Sequence, residues 1–306
     1  MTTVYYDPPF DDEARRNHLY EGDLIVLSPT KSTLAFCQFA KELVKEAFAP
    51  LDPETAQYHL PVEKYAEILG KLKPTFIHHP ETKNYMRNVL KGWGCDLEKT
   101  YYEVPKLRSS TSDGYLTTGI AYAWHPHRDT WTAALPSQIN WWIPVYELRA
   151  DNAMTFFPQY WDQPVKNSSS GYNYFLWNQQ HRGGHVTKYL KEDPRPIPRP
   201  QEEISTSPEV RLICPVGGVI LFSAAHLHAS VPNTSGHTRF SFDFRTVQLD
   251  DIAAKRGAPN IDSECKGHML RDYIRPTDLT HVPEEYMALY DDGSEKAGAL
   301  VYEPAE

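Results

Sequence analysis

The feature that most constrains this chain is a series of short extended segments with no helices between them. They begin after Tyr101 and are separated by glycine and proline: Leu116–Trp124, Gln138–Tyr146, Val210–Cys214, Val219–Phe222 and Arg239–Val247. Doubly wound parallel sheets need strands that alternate with helices, and this rhythm is missing here. The pattern therefore predicts an antiparallel barrel or a jelly roll of two sheets.

Helical signals occupy the first hundred residues. Apolar residues recur at helical spacing from Ala35 to Val44, after Ser32 as a candidate N-cap. Further helices are predicted at three places: Pro61 to about Lys71, Thr82 to Leu90, and around Glu284 to Tyr290. We expect one α+β domain with a mainly β core: a helical part (1–100), a jelly-roll core (101–250) on which it packs, and a C-terminal extension (251–306).

Composition excludes several classes of protein. The net charge is -9 and no long basic run occurs, which argues against binding to nucleic acid. The sequence contains no run of about 18 apolar residues, so no membrane span is predicted. The first residues lack an apolar signal core, and the four cysteines form no CxxC pair. These features are typical of a cytoplasmic protein with reduced thiols.

Three side chains form a candidate metal site. His127 and Asp129 lie two residues apart on an extended chain, so both point to the same side. His228, 101 residues later, completes a set that leaves three positions open on Fe(II), two for a 2-oxo acid and one for O2. Alternatives are a structural His127–Asp129 pair, His226 as the third ligand, and His125 as a ligand, a strand-end residue or a substrate contact.

A cation is needed for the far carboxylate of such a 2-oxo acid. Arg239, 11 residues beyond His228, has the planar fork that matches a carboxylate, and Ser230 can add a hydrogen bond. After Arg239, polar residues alternate with phenylalanines, which predicts an apolar face that packs and a polar face in the barrel interior. On the polar face, Arg245 is a candidate for a substrate carboxylate, with a salt bridge to Asp243 as the alternative.

Two other segments supply further candidates. Asn140 and Trp142 share one face of their strand and are candidates to line the co-substrate site, although core packing is the preferred interpretation for Trp142. Residues 158–209 form a long insertion whose aromatic content argues against disorder and predicts a lid. Its candidate substrate contacts are Trp177, Asn178, His181 and Arg182. The alternative, at even weight, is that these are solvent-exposed loop residues.

These motifs resemble the Fe(II)/2-oxoglutarate dioxygenases of the phytanoyl-CoA dioxygenase branch. That family combines H-x-D, a distal histidine in an H-x-S-x-x-N context, and an arginine about ten residues further on. His228, Ser230, Asn233 and Arg239 match this pattern position by position. NAMTFFPQYW and PVGGVILF also resemble family segments, and the similarity spans about residues 115–247. It does not extend to the insertion, which lacks the family's usual Pro-Gly-Ser-His ending.

The resemblance implies a double-stranded β-helix that binds Fe(II) and uses 2-oxoglutarate and O2 to oxidise a small molecule. We expect the substrate to be an amino-acid-derived acid of a biosynthetic pathway. Halogenases of this group have a small residue in place of the carboxylate, so Asp129 favours hydroxylation; desaturation or ring closure would need the same residues. The alternatives are a sugar-acid hydroxylase, or a cupin-like metal isomerase or lyase without 2-oxoglutarate.

Overall fold

A computed structural model describes residues 1–117, 125–181, 193–298 and 300. Ten strands occur in these ranges: β1 (Val4–Tyr6), β2 (Leu24–Leu27), β3 (Thr100–Ser110), β4 (Ile139–Pro144), β5 (Met154–Phe156), β6 (Val210–Leu212), β7 (Val219–Ser223), β8 (His228–Ser230), β9 (Arg239–Gln248) and β10 (Tyr273–Ile274). Seven form one sheet in the order β1-β2-β7-β4-β9-β3-β10, and three form a second in the order β6-β5-β8. Two sheets with almost wholly antiparallel pairing confirm the predicted fold class.

Seven α-helices occur in the same ranges: α1 (Asp12–Tyr20), α2 (Lys31–Phe48), α3 (Val62–His78), α4 (Pro80–Gly92), α5 (Tyr174–His181), α6 (Leu249–Ala253) and α7 (Glu284–Met287). The N-cap of α2 is Thr30, whose hydroxyl accepts from the Thr33 amide, so the prediction of Ser32 is wrong. Helix α3 continues past its predicted end near Lys71 to His78, with Pro74 inside it at an exposed position. Among the described residues, no helix has the length and apolar character that crossing a membrane requires.

The first thirty residues contain structure that the sequence pattern did not indicate. Helix α1 and strands β1 and β2 lie there, and all four residues of β2 are buried. Strand β2 pairs with β7 and extends the larger sheet. A run of four apolar residues is too short to show a period, which explains why this strand was missed.

The two faces of β9 separate the helices from the interior. Phe240 and Phe242 point toward the N-terminal helices, where Phe36 of α2 lies 4.3 Å from the ring centre of Phe242. The alternate residues Arg239, Asp243 and Arg245 line a cavity of about 140 Å³ to which both sheets contribute. The predicted alternation is therefore confirmed. The predicted Leu116–Trp124 strand lies largely outside the described residues. Leu116 itself is buried but does not belong to a strand.

Candidate metal and co-substrate site

Backbone pairing brings the three predicted metal ligands together. The amide of His127 donates to the carbonyl of His228 at 3.0 Å, and the amide of His228 donates back at the same distance. Asp129 opens a 3-10 turn immediately after His127, which places its carboxylate 3.5 Å from the Nε2 atom of His127. The three side chains each offer a ligand atom within 4.8 Å of the others. They form one wall of the cavity.

Hydrogen bonds fix which nitrogen of each histidine faces the cavity. The Nδ1 atom of His127 lies 2.8 Å from the carbonyl oxygen of His125, and that of His228 lies 2.9 Å from the carbonyl oxygen of His226. Because a carbonyl only accepts, each Nδ1 carries a proton, and Nε2 is the nitrogen left to face a metal. Burial and the neighbouring His127 ring lower the pKa of His228 to about 3, so its imidazole is neutral and able to ligate.

Hydrogen bonds orient the Asp129 carboxylate through the oxygen that faces away from the histidines. Its Oδ2 atom accepts from the amides of Asn140 at 2.8 Å and Gln138 at 3.3 Å, and Arg245 approaches it at 3.7 Å. The hydroxyl of Tyr273 donates to the Oε1 atom of Gln138, which orients that amide. Burial alone would raise the pKa of Asp129, but the neighbouring His127 ring and the charge of Arg245 hold it well below its usual range. The carboxylate is therefore ionised, with Oδ1 directed at the histidines.

A second polar group lines the same cavity. Arg239 is buried and donates from Nη1 to the carbonyl of Asn152 at 2.7 Å and from Nη2 to the hydroxyl of Ser230 at 3.3 Å. Its guanidinium lies 5.3 Å from the ring centre of Trp142. Among the described residues its Nε atom has no hydrogen-bond partner, although it is buried. A carboxylate in the cavity would satisfy this donor.

The donor set and this orphan donor fit a ferrous ion and a 2-oxo acid. Two imidazoles and one carboxylate, each oriented by an outer partner, are the ligands that non-haem Fe(II) oxygenases use. The family profile described as phytanoyl-CoA dioxygenase (PhyH) matches residues 25–241, more than two thirds of the chain. The chain belongs to the phytanoyl-CoA dioxygenase family. It is thus an enzyme, a non-haem iron oxygenase dependent on 2-oxoglutarate.

Several solved structures are similar to this family member. EvdO2 from Micromonospora carbonacea var. aurantiaca, complexed with 2-oxoglutarate, is 11% identical, covers 79% of this chain and 92% of its own, and has a TM-score of 0.43. The carbocyclase SnoK from nogalamycin biosynthesis is 14% identical, with coverages of 87% and 96% and a TM-score of 0.38. The epimerase SnoN, in complex with Fe3+, α-ketoglutarate and nogalamycin RO, is 12% identical, with coverages of 78% and 85% and a TM-score of 0.38. No curated protein sequence matches the chain.

The rival histidines have other contacts in this family member. The Nε2 atom of His226 lies 2.8 Å from the carbonyl oxygen of Gly22, and its ring packs against Trp161. It therefore ties the N-terminal segment to the barrel and lies outside the metal cluster. The side chain of His125 is exposed and is not among the residues that line the cavity, and its role as a substrate contact stays a prediction. Its backbone carbonyl instead orients His127.

Two predicted ligand contacts also have structural partners. Arg245 lines the cavity, and its Nη1 atom donates to the buried Glu103 carboxylate at 2.6 Å; its role in binding a substrate carboxylate stays a prediction. Its alternative partner Asp243 lies at 3.7 Å and is held in a bidentate pair by Arg108, at 2.6 and 3.1 Å. The amide of Asn140 lines the cavity but donates to Asp129, so its position there is determined by the metal ligand.

The candidates in the insertion lie away from the cavity. Helix α5 carries Trp177, Asn178 and His181, and none of them lines the space beside the metal cluster. Asn178 is buried against Gly298 of the C-terminal segment, and the ring of Trp177 lies 6.1 Å from that of His181. Substrate contacts by these three residues stay predictions. Arg182 lies outside the described residues.

Sequence reasoning missed two groups of charged residues. Arg128, between two metal ligands, is buried and pairs with Asp262. Lys73 on α3 and Arg108 on β3 line the cavity, although neither lies near a predicted metal or co-substrate motif. The one available signal was the position of Arg128 inside H-x-D, where a long charged side chain must point away from the metal.

Proposed function

We propose that this enzyme binds Fe(II) through His127, Asp129 and His228, binds 2-oxoglutarate through Arg239 and Ser230, and oxidises a small organic acid. The observation that carries this proposal is the arrangement of one cavity. Three ligand atoms converge on one of its walls, and a buried arginine with an unsatisfied Nε donor also lines it.

The chain's residues have separable tasks in this proposal. The backbone bridge and the Nδ1 hydrogen bonds present two imidazole lone pairs, and the Asn140 and Gln138 amides keep one oxygen of Asp129 aimed at them. Arg239 and Ser230 orient the co-substrate by its distal carboxylate. When bound, the iron couples O2 activation to the oxidative decarboxylation of 2-oxoglutarate, and the apolar walls Trp142, Met154 and Phe222 exclude water.

The oxidised substrate, in this proposal, is a small acid of a biosynthetic pathway, derived from an amino acid. An intact Asp129 favours hydroxylation, and desaturation or ring closure would use the same groups. Residues 158–209 are proposed to cover the open end of the cavity. This proposal is supported by the contact of Arg128 with the carbonyls of Tyr160 and Gln163, which joins the start of the insertion to the metal-ligand segment.

The proposal is tested by iron-dependent turnover of 2-oxoglutarate. Protein loaded anaerobically with Fe(II) and exposed to O2 should form succinate, and a panel of small acids should be screened for stimulation of that rate. Asp129→Ala should abolish succinate formation, whereas Asp162→Ala, at an exposed aspartate of the insertion, should behave as the wild type. Wild-type protein that forms no succinate, or an Asp129→Ala variant that retains the full rate, would refute the proposal.

A further inference from the structure

Side chains from four neighbouring strands form one row across the larger sheet. The strand registers place Asn140 of β4 opposite Arg245 of β9, and Arg245 opposite Glu103 of β3. On the other side of β3, Glu103 is opposite Tyr273 of β10. Residues directly opposite each other in an antiparallel pair point to the same face of the sheet. The row therefore lies on the face of the metal cluster, since Asn140 donates to Asp129.

Both ends of this row reach the same oxygen of the predicted metal ligand Asp129. Asn140 donates to Oδ2 directly at 2.8 Å. Tyr273 donates at 2.7 Å to Gln138, whose amide donates to Oδ2 at 3.3 Å. In the middle of the row, the Nε atom of Arg245 lies 3.7 Å from Oδ2, which is an ion pair but too long for a hydrogen bond.

Glu103 makes the shorter contact with the guanidinium of Arg245. Its Oε2 atom accepts from Nη1 of Arg245 at 2.6 Å, and its Oε1 atom accepts from Lys106. The Glu103 carboxylate is fully buried, so these two partners fix its position. Arg245 is thus shared unequally between two carboxylates, Glu103 and Asp129, and the metal ligand has the weaker share.

This unequal sharing affects how strongly Asp129 can bind a cation. A carboxylate engaged in a short charge-assisted hydrogen bond has less charge to offer a metal, and an uncompensated guanidinium nearby repels the ion. If Glu103 carried no charge, the free side of Arg245 would turn its attraction to Asp129. The other nearby carboxylate, Asp243, lies 3.7 Å from Arg245 and is already held by Arg108 in a bidentate pair.

We propose that Glu103 is a positioning residue for the metal centre, which holds Arg245 so that Asp129 keeps its negative charge for the iron. This inference rests on the proposed function, because it takes Asp129 as a metal ligand. It adds a residue that lies outside the metal cluster and acts on it through one neighbour.

The test measures Co(II) affinity by chelator competition, without turnover. Glu103→Gln keeps the shape of the side chain and removes its charge, and it should weaken Co(II) binding by about tenfold or more. On an Arg245→Met background, the same substitution should change the affinity by about twofold or less, because the arginine through which Glu103 acts is gone. Glu98→Gln is the matched control, since the side chain of Glu98 is 69% exposed, and it should keep the wild-type affinity.

A further variant separates this role from a general loss of stability. Lys106→Met removes the other cationic partner of Glu103 and leaves the pair with Arg245 in place. It should bind Co(II) at least as tightly as the wild type, whereas a purely structural role of this ion-pair group predicts weaker binding. This variant also tests the inference if Glu103→Gln does not fold.

Three results would overturn the inference. They are wild-type affinity in Glu103→Gln, an undiminished effect of that substitution on the Arg245→Met background, and weaker Co(II) binding by Lys106→Met. Failure of the proposed function would appear separately, as Co(II) affinity that Asp129→Ala leaves unchanged.

Discussion

Arg128 offers a test of how the metal ligands are positioned. It lies between His127 and Asp129, yet its side chain points away from the cavity and is 1% exposed. Its guanidinium donates to the Asp262 carboxylate at 2.9 Å, to the carbonyls of Ala225 and Tyr160, and to that of Gln163 at 3.1 Å. It therefore joins the segment that carries two ligands to the loop just before His228. We predict that Arg128→Met reduces both stability and metal affinity.

The contacts set the size of the effect. Removing one partner of a buried ion pair typically costs about 3–5 kcal/mol, because the other charge is left uncompensated. Asp262 keeps two donors in the variant, the Trp131 indole at 2.7 Å and the Val165 amide at 3.0 Å, so we expect a loss near the lower end, about 3 kcal/mol. Loss of an outer partner of metal ligands typically weakens metal binding by about 10–100-fold.

The assay combines urea unfolding with chelator competition for Co(II). Asp262→Asn on the Arg128→Met background should recover about 1 kcal/mol or more, because it removes the unpaired charge. Arg149→Met is the control, since Arg149 is 44% exposed in a 3.6 Å pair, and its stability should stay within about 0.5 kcal/mol of the wild type. Wild-type Co(II) affinity in Arg128→Met, with its stability also unchanged, would show that Arg128 does not anchor the ligand segment.

Three further outcomes are expected. Arg239→Ala should raise the KM for 2-oxoglutarate by about 10–100-fold with a smaller effect on kcat, and an unchanged KM would remove Arg239 from the co-substrate site. The cationic partners of Glu103 outweigh its burial and lower its pKa to about 2. The free energy of unfolding, measured in urea, should therefore fall by up to about 3 kcal/mol as pH drops from about 4.5 toward 2. Glu103→Gln should show a flatter dependence on pH. Tyr273→Phe removes the 2.7 Å hydrogen bond to Gln138 and should cost about 1 kcal/mol and weaken Co(II) binding severalfold; equal Co(II) affinity would contradict the orienting role of that bond.

Local pattern was sufficient to find the metal cluster. Two ligands two residues apart on an extended chain must share a side, and the alternation along β9 identifies the face on which Arg239 lies. The choice of His228 over His226 depended on spacing to Arg239, and the structure places the two rings in different surroundings. These properties are encoded within about ten residues of each ligand, which is why a single sequence reveals them.

Contacts between residues far apart in the chain could not be predicted from the sequence alone. Glu103 and Arg245 are separated by 142 positions and meet only because β3 pairs with β9. A register shift between Glu103 and Lys106 also breaks the alternation of β3, so that Glu103, Lys106 and Arg108 all face the interior. Counting by twos along β3 would have placed Glu103 on the opposite face. In the insertion, α5 packs on residues near the C-terminus, which no local period predicts.

Two arginines on the polar face of β9 show what the sequence leaves undecided. Arg245 meets a carboxylate from β3 and another from the metal cluster, and these charges outweigh its burial and raise its pKa above the ordinary value. Arg239 meets carbonyls and a hydroxyl, and burial lowers its pKa to about 10. An arginine whose charge the protein already compensates gains little from a ligand carboxylate, whereas one held only by neutral acceptors gains a full ion pair. Residue type and strand face are the same for both, so neighbouring strands decide which arginine keeps a charge that a ligand carboxylate could compensate.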